Sequence, residues 1–265
     1  MRYRPLGASA AVVSAISLNL APDASRRRPS DWVPFIHAAL ELGISAFEIG
    51  ADDPVVVDGL SQALSAVDRA LVFVAWRLDG DVAPESLSLR VKAAVARTGL
   101  AYLDALVLEP PGSAARSGEI FAALQAIKAT GAARLAGLSG EGERLDDPIG
   151  SGVFDMLITN LSLASGAREH DRLRAAGARG MGVVGRRPHH GPIADCGDYG
   201  WTAQEVSLAY ALAEPSLSSV QLEAGSIDEL ERMAAAAERE TPPGLAARID
   251  VARFAHADME TERRA

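Results

Sequence analysis

Carboxylates that follow apolar runs are the residues of this sequence with the clearest potential for chemistry. Glu48 ends the run "ISAFE", and Glu109 ends the run "LDALVLE". Asp52 and Asp53 follow shortly after Glu48. Two carboxyl groups that face each other can serve as general acid and general base. One interpretation is therefore an active lyase, isomerase or unusual oxidoreductase that uses Glu48 and Glu109. Arg77, at the end of "ALVFVAWR", supports another, in which the acids form a structural charge network.

The elements that would position these groups alternate regularly along the chain. Short apolar runs such as "SAISLNL", "LDALVLE" and "MGVVGRR" each precede a longer segment. Most of these longer segments have helical periodicity. This alternation is typical of a parallel sheet covered on its faces. Eight such units predict a single α/β domain over residues 1–265, a (β/α)8 TIM barrel. A doubly wound open sheet is the alternative, but no G-x-G-x-x-G motif follows the first strand.

The opening "YRPLGASAAVVSA" predicts a short β-hairpin that turns at Gly7, before the first barrel strand. Such a hairpin could cover the N-terminal end of the barrel. Functional side chains of a (β/α)8 barrel lie at the opposite end, where the strands terminate. We therefore expect Glu48, Arg77 and Glu109 to lie at the C-terminal mouth.

Composition and charge exclude several classes of function. A formal net charge of -9, a pI near 5.1 and an aromatic content of 5% disfavour nucleic acid as a partner. The single cysteine, Cys196, permits no intrachain disulfide. No apolar run approaches the roughly 18 residues of a membrane span, and the start of the chain does not resemble a signal peptide. We expect a cytoplasmic protein without membrane insertion.

Six fragments, taken in order, resemble the aldo-keto reductase superfamily over nearly the whole chain. They include the opening "MRYRPLGASAAVVSAI", the second-strand region "LELGISAFEIGADD" and the fourth-strand region "LDALVLEPPG". Further along, "GVVGRRPHHG" and "SSVQLEAGSIDELERMAAAA" are similar to the cofactor-binding seventh and eighth segments of that family. The resemblance implies the same barrel and a nicotinamide cofactor at its mouth.

The catalytic positions depart from the family pattern. The family uses Asp, Tyr, Lys and His, and these positions correspond here to Glu48, Asp53, Arg77 and Glu109. Tyr is the family's proton donor. An unperturbed Asp carries its proton in only about one molecule in a thousand at pH 7. Since a positioned acid contributes roughly 100- to 10,000-fold, we predict no reductase activity of the family type and no catalytic residues. A reductase that recruits another acid, such as Tyr199, is a further alternative.

The cofactor positions are only partly retained. Ser139 matches the Ser of a family Ser-Asn pair that holds the nicotinamide amide, and Arg186, Arg187 and Gly191 lie where the pyrophosphate would bind. The family's cation for the 2'-phosphate of NADP corresponds to Gly225. Because a phosphate needs positive charge, the resemblance implies non-catalytic binding of NAD(H) and disfavours NADP(H).

The degenerate site implies a pseudoenzyme that acts by binding. The pattern is also similar to KidO-like oxidoreductase homologues, which regulate the bacterial cell cycle and cell division. This similarity implies protein partners in the division ring (FtsZ) and in a histidine-kinase pathway. The basic loop Arg26–Arg28 and the loop from Arg186 to Trp201 are the candidate contact regions, because loops on a rigid barrel carry function.

No metal is predicted in the second of these loops, although it is rich in groups that can bind metal. The spacing of these groups matches no standard zinc pattern. They are His189, His190, Asp195, Cys196 and Asp198.

Overall fold

A computed structural model of the chain describes residues 1–50, 52–78, 82–110, 114–189 and 200–240, together with residues 244, 249 and 251. For residues 114–117 it describes the backbone only. Eight parallel strands close into a barrel, with the last strand pairing with the first, which confirms the predicted (β/α)8 fold. The barrel strands are β3 (Ile16–Leu20), β4 (Ala46–Ile49), β5 (Phe73–Leu78), β6 (Leu103–Leu108), β7 (Ala133–Gly140), β8 (Met156–Asn160), β9 (Gly182–Arg186) and β10 (Leu217–Leu222).

Helices follow the strands and cover the barrel. Three of them begin with proline, at Pro29, Pro54 and Pro84. Proline suits this position because the first helical N–H has no partner within the helix. Only a short 3-10 turn and the five-residue α5 follow β7. The helices are α1 (Pro29–Glu41), α2 (Pro54–Leu64), α3 (Pro84–Thr98), α4 (Ala114–Thr130), α5 (Asp146–Gly150), α6 (Ala167–Ala178), α7 (Ala203–Leu212) and α8 (Ile227–Glu238).

The predicted N-terminal hairpin is present. It closes the N-terminal end of the barrel, which we call the lower end. Strands β1 (Tyr3–Pro5) and β2 (Val12–Ser14) pair antiparallel. Gly7 adopts φ +59°, and a side chain there would come within 2.3 Å of the Gly180 carbonyl oxygen. The hairpin inserts Leu6 and Val13, both buried, into an apolar cluster inside the barrel.

The barrel interior changes character along its axis. The lower layers are apolar and pack against the hairpin. Because side chains two positions apart on a strand share a face, the next interior residue can be read from each strand. On β4, Ala46 is followed by Glu48, and on β5, Ala75 is followed by Arg77. The interior apolar cluster consists of Leu6, Val13, Ala46, Phe73, Ala75, Ala105, Val107, Met156, Ile158 and Val184.

Among the described residues, no helix combines the length and the apolar character that crossing a membrane requires.

Candidate functional site at the barrel mouth

Glu48, Arg77 and Glu109 lie together at the C-terminal mouth, as we predicted from their positions at the ends of apolar runs. Arg77 Nε donates to Glu48 Oε1 at 2.8 Å, and Arg77 Nη1 donates to Glu109 Oε1 at 3.2 Å. Gln221 Nε2 on β10 donates to the other oxygen of Glu48, also at 3.2 Å. Burial alone would lower the pKa of Arg77, but the charges and hydrogen bonds of Glu48 and Glu109 outweigh it, so the pKa is raised. One guanidinium therefore holds both carboxylates.

This geometry does not favour Glu48 and Glu109 as an acid–base pair. The Glu48 side chain is only 3% exposed, and both of its oxygens already accept hydrogen bonds from Arg77 and Gln221. Glu109 is 41% exposed and faces the cleft. The arrangement is that of an ion-pair network in which removal of one member leaves a buried charge unpaired.

Asp53 has a structural role that its position in the sequence could have revealed. Asp53 Oδ1 accepts hydrogen bonds from the N–H groups of Val55 at 2.9 Å and Val56 at 3.1 Å. It is thus the N-cap of α2. Asp directly before Pro54 at the first helical position is a helix-start signal. Asp52 pairs with Arg97 on α3 at 3.4 Å instead.

A second polar cluster lies opposite, around Arg186 at the end of β9. Arg186 Nε donates to Asn160 Oδ1 at 3.0 Å, and Arg186 Nη1 donates to Ser139 Oγ at 3.2 Å. Asn160 in turn donates to the Glu141 carboxylate. Burial, and then the nearby charge of Arg77, lower the pKa of Arg186. Ser139 and Arg186 therefore do come together, but they bind each other.

The rim of the mouth carries an exposed cation, Arg187. Arg187 has φ +54°, a left-handed conformation that costs a non-glycine residue energy and is enriched at functional sites. Its side chain is exposed and makes no hydrogen bond or ion pair with the described part of the chain. The neighbouring Arg144 donates to the Pro110 carbonyl at 2.6 Å. Gly191, the remaining predicted cofactor residue, lies outside the described residues.

These groups line an open cleft of about 660 Å³, which is within the usual range for small-molecule sites. Its walls carry both signs of charge. Sequence reasoning missed several of its polar residues, although all of them follow or end strands. The lining residues are Asn19, Arg77, Glu109, Pro110, Gly140, Glu141, Arg144, Arg186, Arg187, Pro188, His189, Gln221, Leu222 and Glu223.

The basic loop Arg26–Arg28 is largely engaged within the protein. Arg26 is only 9% exposed and donates to Asp23 and to two backbone carbonyls after β10. Arg28 pairs with Asp31 in the first turn of α1. The Arg27 side chain is exposed and donates only to the nearby Ala24 carbonyl. Of the three arginines, Arg27 and Arg28 are thus the two whose side chains a partner could reach.

The second predicted contact region is only partly visible. Residues 190–199 lie outside the described residues, and they include His190, Asp195, Cys196, Asp198 and Tyr199. Among the described residues, no three His, Cys, Asp or Glu side chains are grouped so that they could hold a metal.

Comparison with known proteins identifies the architecture. No family model and no curated protein sequence matches the chain. Among solved structures, an aldo-keto reductase from Bacillus halodurans in its apo form is 20% identical, with a TM-score of 0.77 over 94% of this chain and 95% of that chain. The chain has the fold of the aldo-keto reductases.

Two further similar structures bear on the cofactor. An aldo-keto reductase from Klebsiella pneumoniae in complex with NADPH is 19% identical over 94% of each chain, with a TM-score of 0.80. An aldo/keto reductase from the same organism, in complex with NADP and acetate, is 19% identical with a TM-score of 0.81, over 94% of this chain and 95% of that chain. These bound cofactors conflict with our expectation that NADP(H) is disfavoured. At such identities the likeness shows the fold alone.

Proposed function

We propose that this chain is a non-catalytic homologue of the aldo-keto reductases that binds a nicotinamide dinucleotide without turnover and acts through protein partners. The observation that carries the proposal is the closed network at the mouth. Arg77 is hydrogen-bonded to both Glu48 and Glu109. Asp53 accepts hydrogen bonds from backbone N–H groups in the first turn of α2. None of these four groups is free to give a proton to a carbonyl substrate.

The residues present fit the diphosphate of a dinucleotide better than they fit a reacting nicotinamide. Arg187 offers an exposed guanidinium at the rim, and guanidinium–phosphate pairs are among the stronger hydrogen bonds. A nicotinamide ring, when bound, supplies or accepts a hydride. Here the polar groups of Ser139 and Asn160 are occupied by Arg186. These contacts support binding without hydride transfer.

We propose NAD(H) as the ligand and keep NADP(H) as the alternative. Three carboxylates line the same cleft, those of Glu109, Glu141 and Glu223. An additional phosphate near them would be repelled. The NADPH- and NADP-bound relatives support the competing choice, so both nucleotides belong in the same experiment.

The regulatory part of the proposal concerns protein partners. Its support is the similarity to KidO-like regulators, together with exposed basic groups at Arg27 and Arg187. The partner is then a component of the division ring or of a histidine-kinase pathway. Titration of purified FtsZ or a histidine kinase into the protein, with and without NADH, measures this directly. Absence of binding under both conditions would refute the regulatory role while leaving nucleotide binding intact.

The nucleotide test compares NADH and NADPH by calorimetry with the unaltered protein and two variants. Arg187→Asn removes the charge but tolerates the left-handed backbone, and it should weaken NADH binding about tenfold or more, as expected for loss of a charged hydrogen bond. Arg174→Asn, on the exposed face of α6 with a side chain 64% exposed, is the matched control and should leave affinity unchanged. If neither nucleotide binds at millimolar concentration, the cofactor part of the proposal is wrong.

A panel of aldehydes with NADH and NADPH tests the absence of catalysis. We expect no turnover above the uncatalysed rate. Turnover that disappears in Glu109→Gln would establish the alternative of an active enzyme with changed chemistry. Turnover that disappears in His189→Gln would identify the cleft histidine as the proton donor. Either result would overturn the non-catalytic assignment.

A further inference from the structure

The guanidinium of Arg186 is half-buried at the end of β9, where the strand ends form the floor of the cleft. Its Nε donates to Asn160 Oδ1 at 3.0 Å, and its Nη1 donates to Ser139 Oγ at 3.2 Å. Both acceptors are neutral. Among the described residues, no carboxylate forms an ion pair with this guanidinium. Because a charge that leaves water normally pairs with an opposite charge, Arg186 lacks the anion that its burial calls for.

One edge of this guanidinium is open to the cleft. Arg186 Nη2 makes no hydrogen bond to the described residues, since Nε and Nη1 make the two bonds of this side chain to other side chains. It does not belong to the five side-chain atoms of the described residues that are buried without a partner. This nitrogen is therefore accessible to solvent, and Arg186 lines the cleft of about 660 Å³. A molecule in the cleft can accept a hydrogen bond from it.

The charges around Arg186 leave it short of negative charge. Burial is the largest cause that lowers the pKa of Arg186, and the charge of Arg77 is the next. Glu48 and Glu109 act in the opposite direction, but both are hydrogen-bonded to Arg77. Arg187 lowers the pKa further. A negative charge beside Arg186 would offset both its desolvation and the repulsion among the three guanidinium groups.

The open edge of Arg186 defines the chemistry of the ligand. A guanidinium matches the planar geometry of a carboxylate and bonds to it more strongly than to a neutral acceptor. A neutral amide would leave the charge of Arg186 uncompensated. Glu109 faces the same cleft with its side chain 41% exposed, so a doubly charged phosphate would meet more repulsion than a singly charged carboxylate. These groups favour a small organic monoanion.

We propose that the floor of the cleft is a binding site for a small organic monocarboxylate, which accepts a hydrogen bond from Arg186 Nη2. Binding involves no covalent step. The inference does not rest on the nucleotide binding proposed above, because that proposal uses the exposed Arg187 at the rim, whereas Arg186 lies at the strand end. It assigns the protein a small-molecule ligand in addition to the dinucleotide.

Benzoate and benzamide form a matched pair of probes, since they share a shape and differ in charge. Calorimetry on the full chain without nucleotide measures the affinity of each. We expect saturable binding of benzoate, with benzamide about tenfold weaker or more, as expected for loss of a charged hydrogen bond. Inorganic phosphate under mildly alkaline conditions, where it is doubly charged, should bind more weakly than benzoate.

Arg186→Gln removes the charge and should weaken benzoate binding about tenfold or more. Arg134→Gln is the matched control, because Arg134 also lies on a barrel strand, but near the start of β7, where it stacks 3.4 Å from the centroid of the Tyr102 ring. This variant should bind benzoate like the unaltered protein. The comparison of benzoate with benzamide uses the unaltered protein, so it decides the question even if Arg186→Gln does not fold.

Several outcomes would overturn the proposal. They are no saturable binding of benzoate at millimolar concentration, equal binding of benzamide, and tighter binding of phosphate than of benzoate. Arg187→Asn should weaken benzoate binding less than Arg186→Gln does, and an equal or larger loss would place the anion at the rim. Failure of NADH to bind contradicts only the dinucleotide proposal, whereas failure of benzoate to bind contradicts only this one.

Discussion

The two ends of the barrel interior are lined by the same strands, but one end is apolar and the other is charged. At the lower end, Leu6 and Val13 of the hairpin enter an apolar cluster with residues such as Phe73 and Met156. Two positions further along the strands, toward the C-terminal mouth, the interior side chains are charged. There the interior opens into a cleft of about 660 Å³. The lower end is stabilised by burial of apolar surface, whereas the upper end depends on ion pairs and hydrogen bonds.

The two ends therefore differ in the interactions that hold them together. The apolar layers and the hairpin pack together in one cluster at the lower end. The mouth holds a polar network in which Arg77 and Arg186 each donate hydrogen bonds to two side chains. A (β/α)8 scaffold separates stability from function in this way, because its ligand site lies on the strand ends and the following loops.

The largest expected effect comes from breaking the network at its centre. Arg77→Met leaves Glu48 buried without its cation, so we expect a loss of about 3–5 kcal/mol in the free energy of unfolding, measured by urea denaturation. Arg168→Met removes an exposed pair with Glu143, at 79% and 77% exposure, and should cost at most about 1 kcal/mol. Equal losses in the two variants would show that the mouth network does not stabilise the barrel.

The hairpin end provides the apolar counterpart. Leu6 is fully buried, so Leu6→Ala should lower the free energy of unfolding by about 2–5 kcal/mol through lost burial and a residual cavity. Val12, on the same hairpin, is 58% exposed, and Val12→Ala should stay within about 0.5 kcal/mol. NADH affinity below the unfolding transition should be unaffected in both. A large change in NADH affinity would contradict the separation of the two ends.

A smaller effect is expected at the start of α2. Asp53→Ala removes the acceptor for the N–H groups of Val55 and Val56 and should cost about 1 kcal/mol in unfolding free energy. Asp53→Asn retains a capping oxygen and should be close to neutral. Thermal unfolding of both variants measures the difference. If the two variants lose the same stability, the capping role is wrong and the charge of Asp53 is what counts.

The smallest effect is in pH dependence and contrasts two acids of the barrel. Hydrogen bonds from Ser25, and then the charge of Arg26, lower the pKa of Asp23 at the mouth. Its contribution to stability is present above its unfolded-state pKa and is lost as pH falls through the folded value. Burial raises the pKa of Asp104 at the lower end, despite hydrogen bonds from Val74 and Arg69. Asp104 therefore adds stability as pH falls, and that contribution is lost as pH rises through its folded value.

Carboxyl-carbon NMR titration of the two side chains measures this contrast. We expect Asp23 to titrate below its ordinary value and Asp104 above it. Asp23→Asn should reduce the acid sensitivity of unfolding. The reverse order of titration would show that the Asp104 carboxylate is stabilised by Arg69 more than it is destabilised by burial.

Much of the fold followed from sequence periodicity, and less of the site did. The positions of Glu48, Arg77 and Glu109 at strand ends were enough to predict that they meet. Asn160 and Gln221 were missed because amides at strand ends carry no distinctive pattern. The burial of Arg26 was also missed, since an arginine-rich loop has the composition of a solvated surface. Its aromatic partners Trp32 and Phe35 lie only a few residues further on, which is the signal that was available.

The sequence by itself determined the alternation of strands and helices, the hairpin, and the position of Glu48, Arg77 and Glu109 at or next to strand ends. Only the tertiary structure decided which groups bind each other. Gln221 reaches Glu48 across 173 positions, and Arg26 reaches the Ala224 carbonyl across 198. The physical reason is barrel closure. Pairing of β10 with β3 brings the first and last barrel strands together, and contacts across that seam have no local pattern in the sequence.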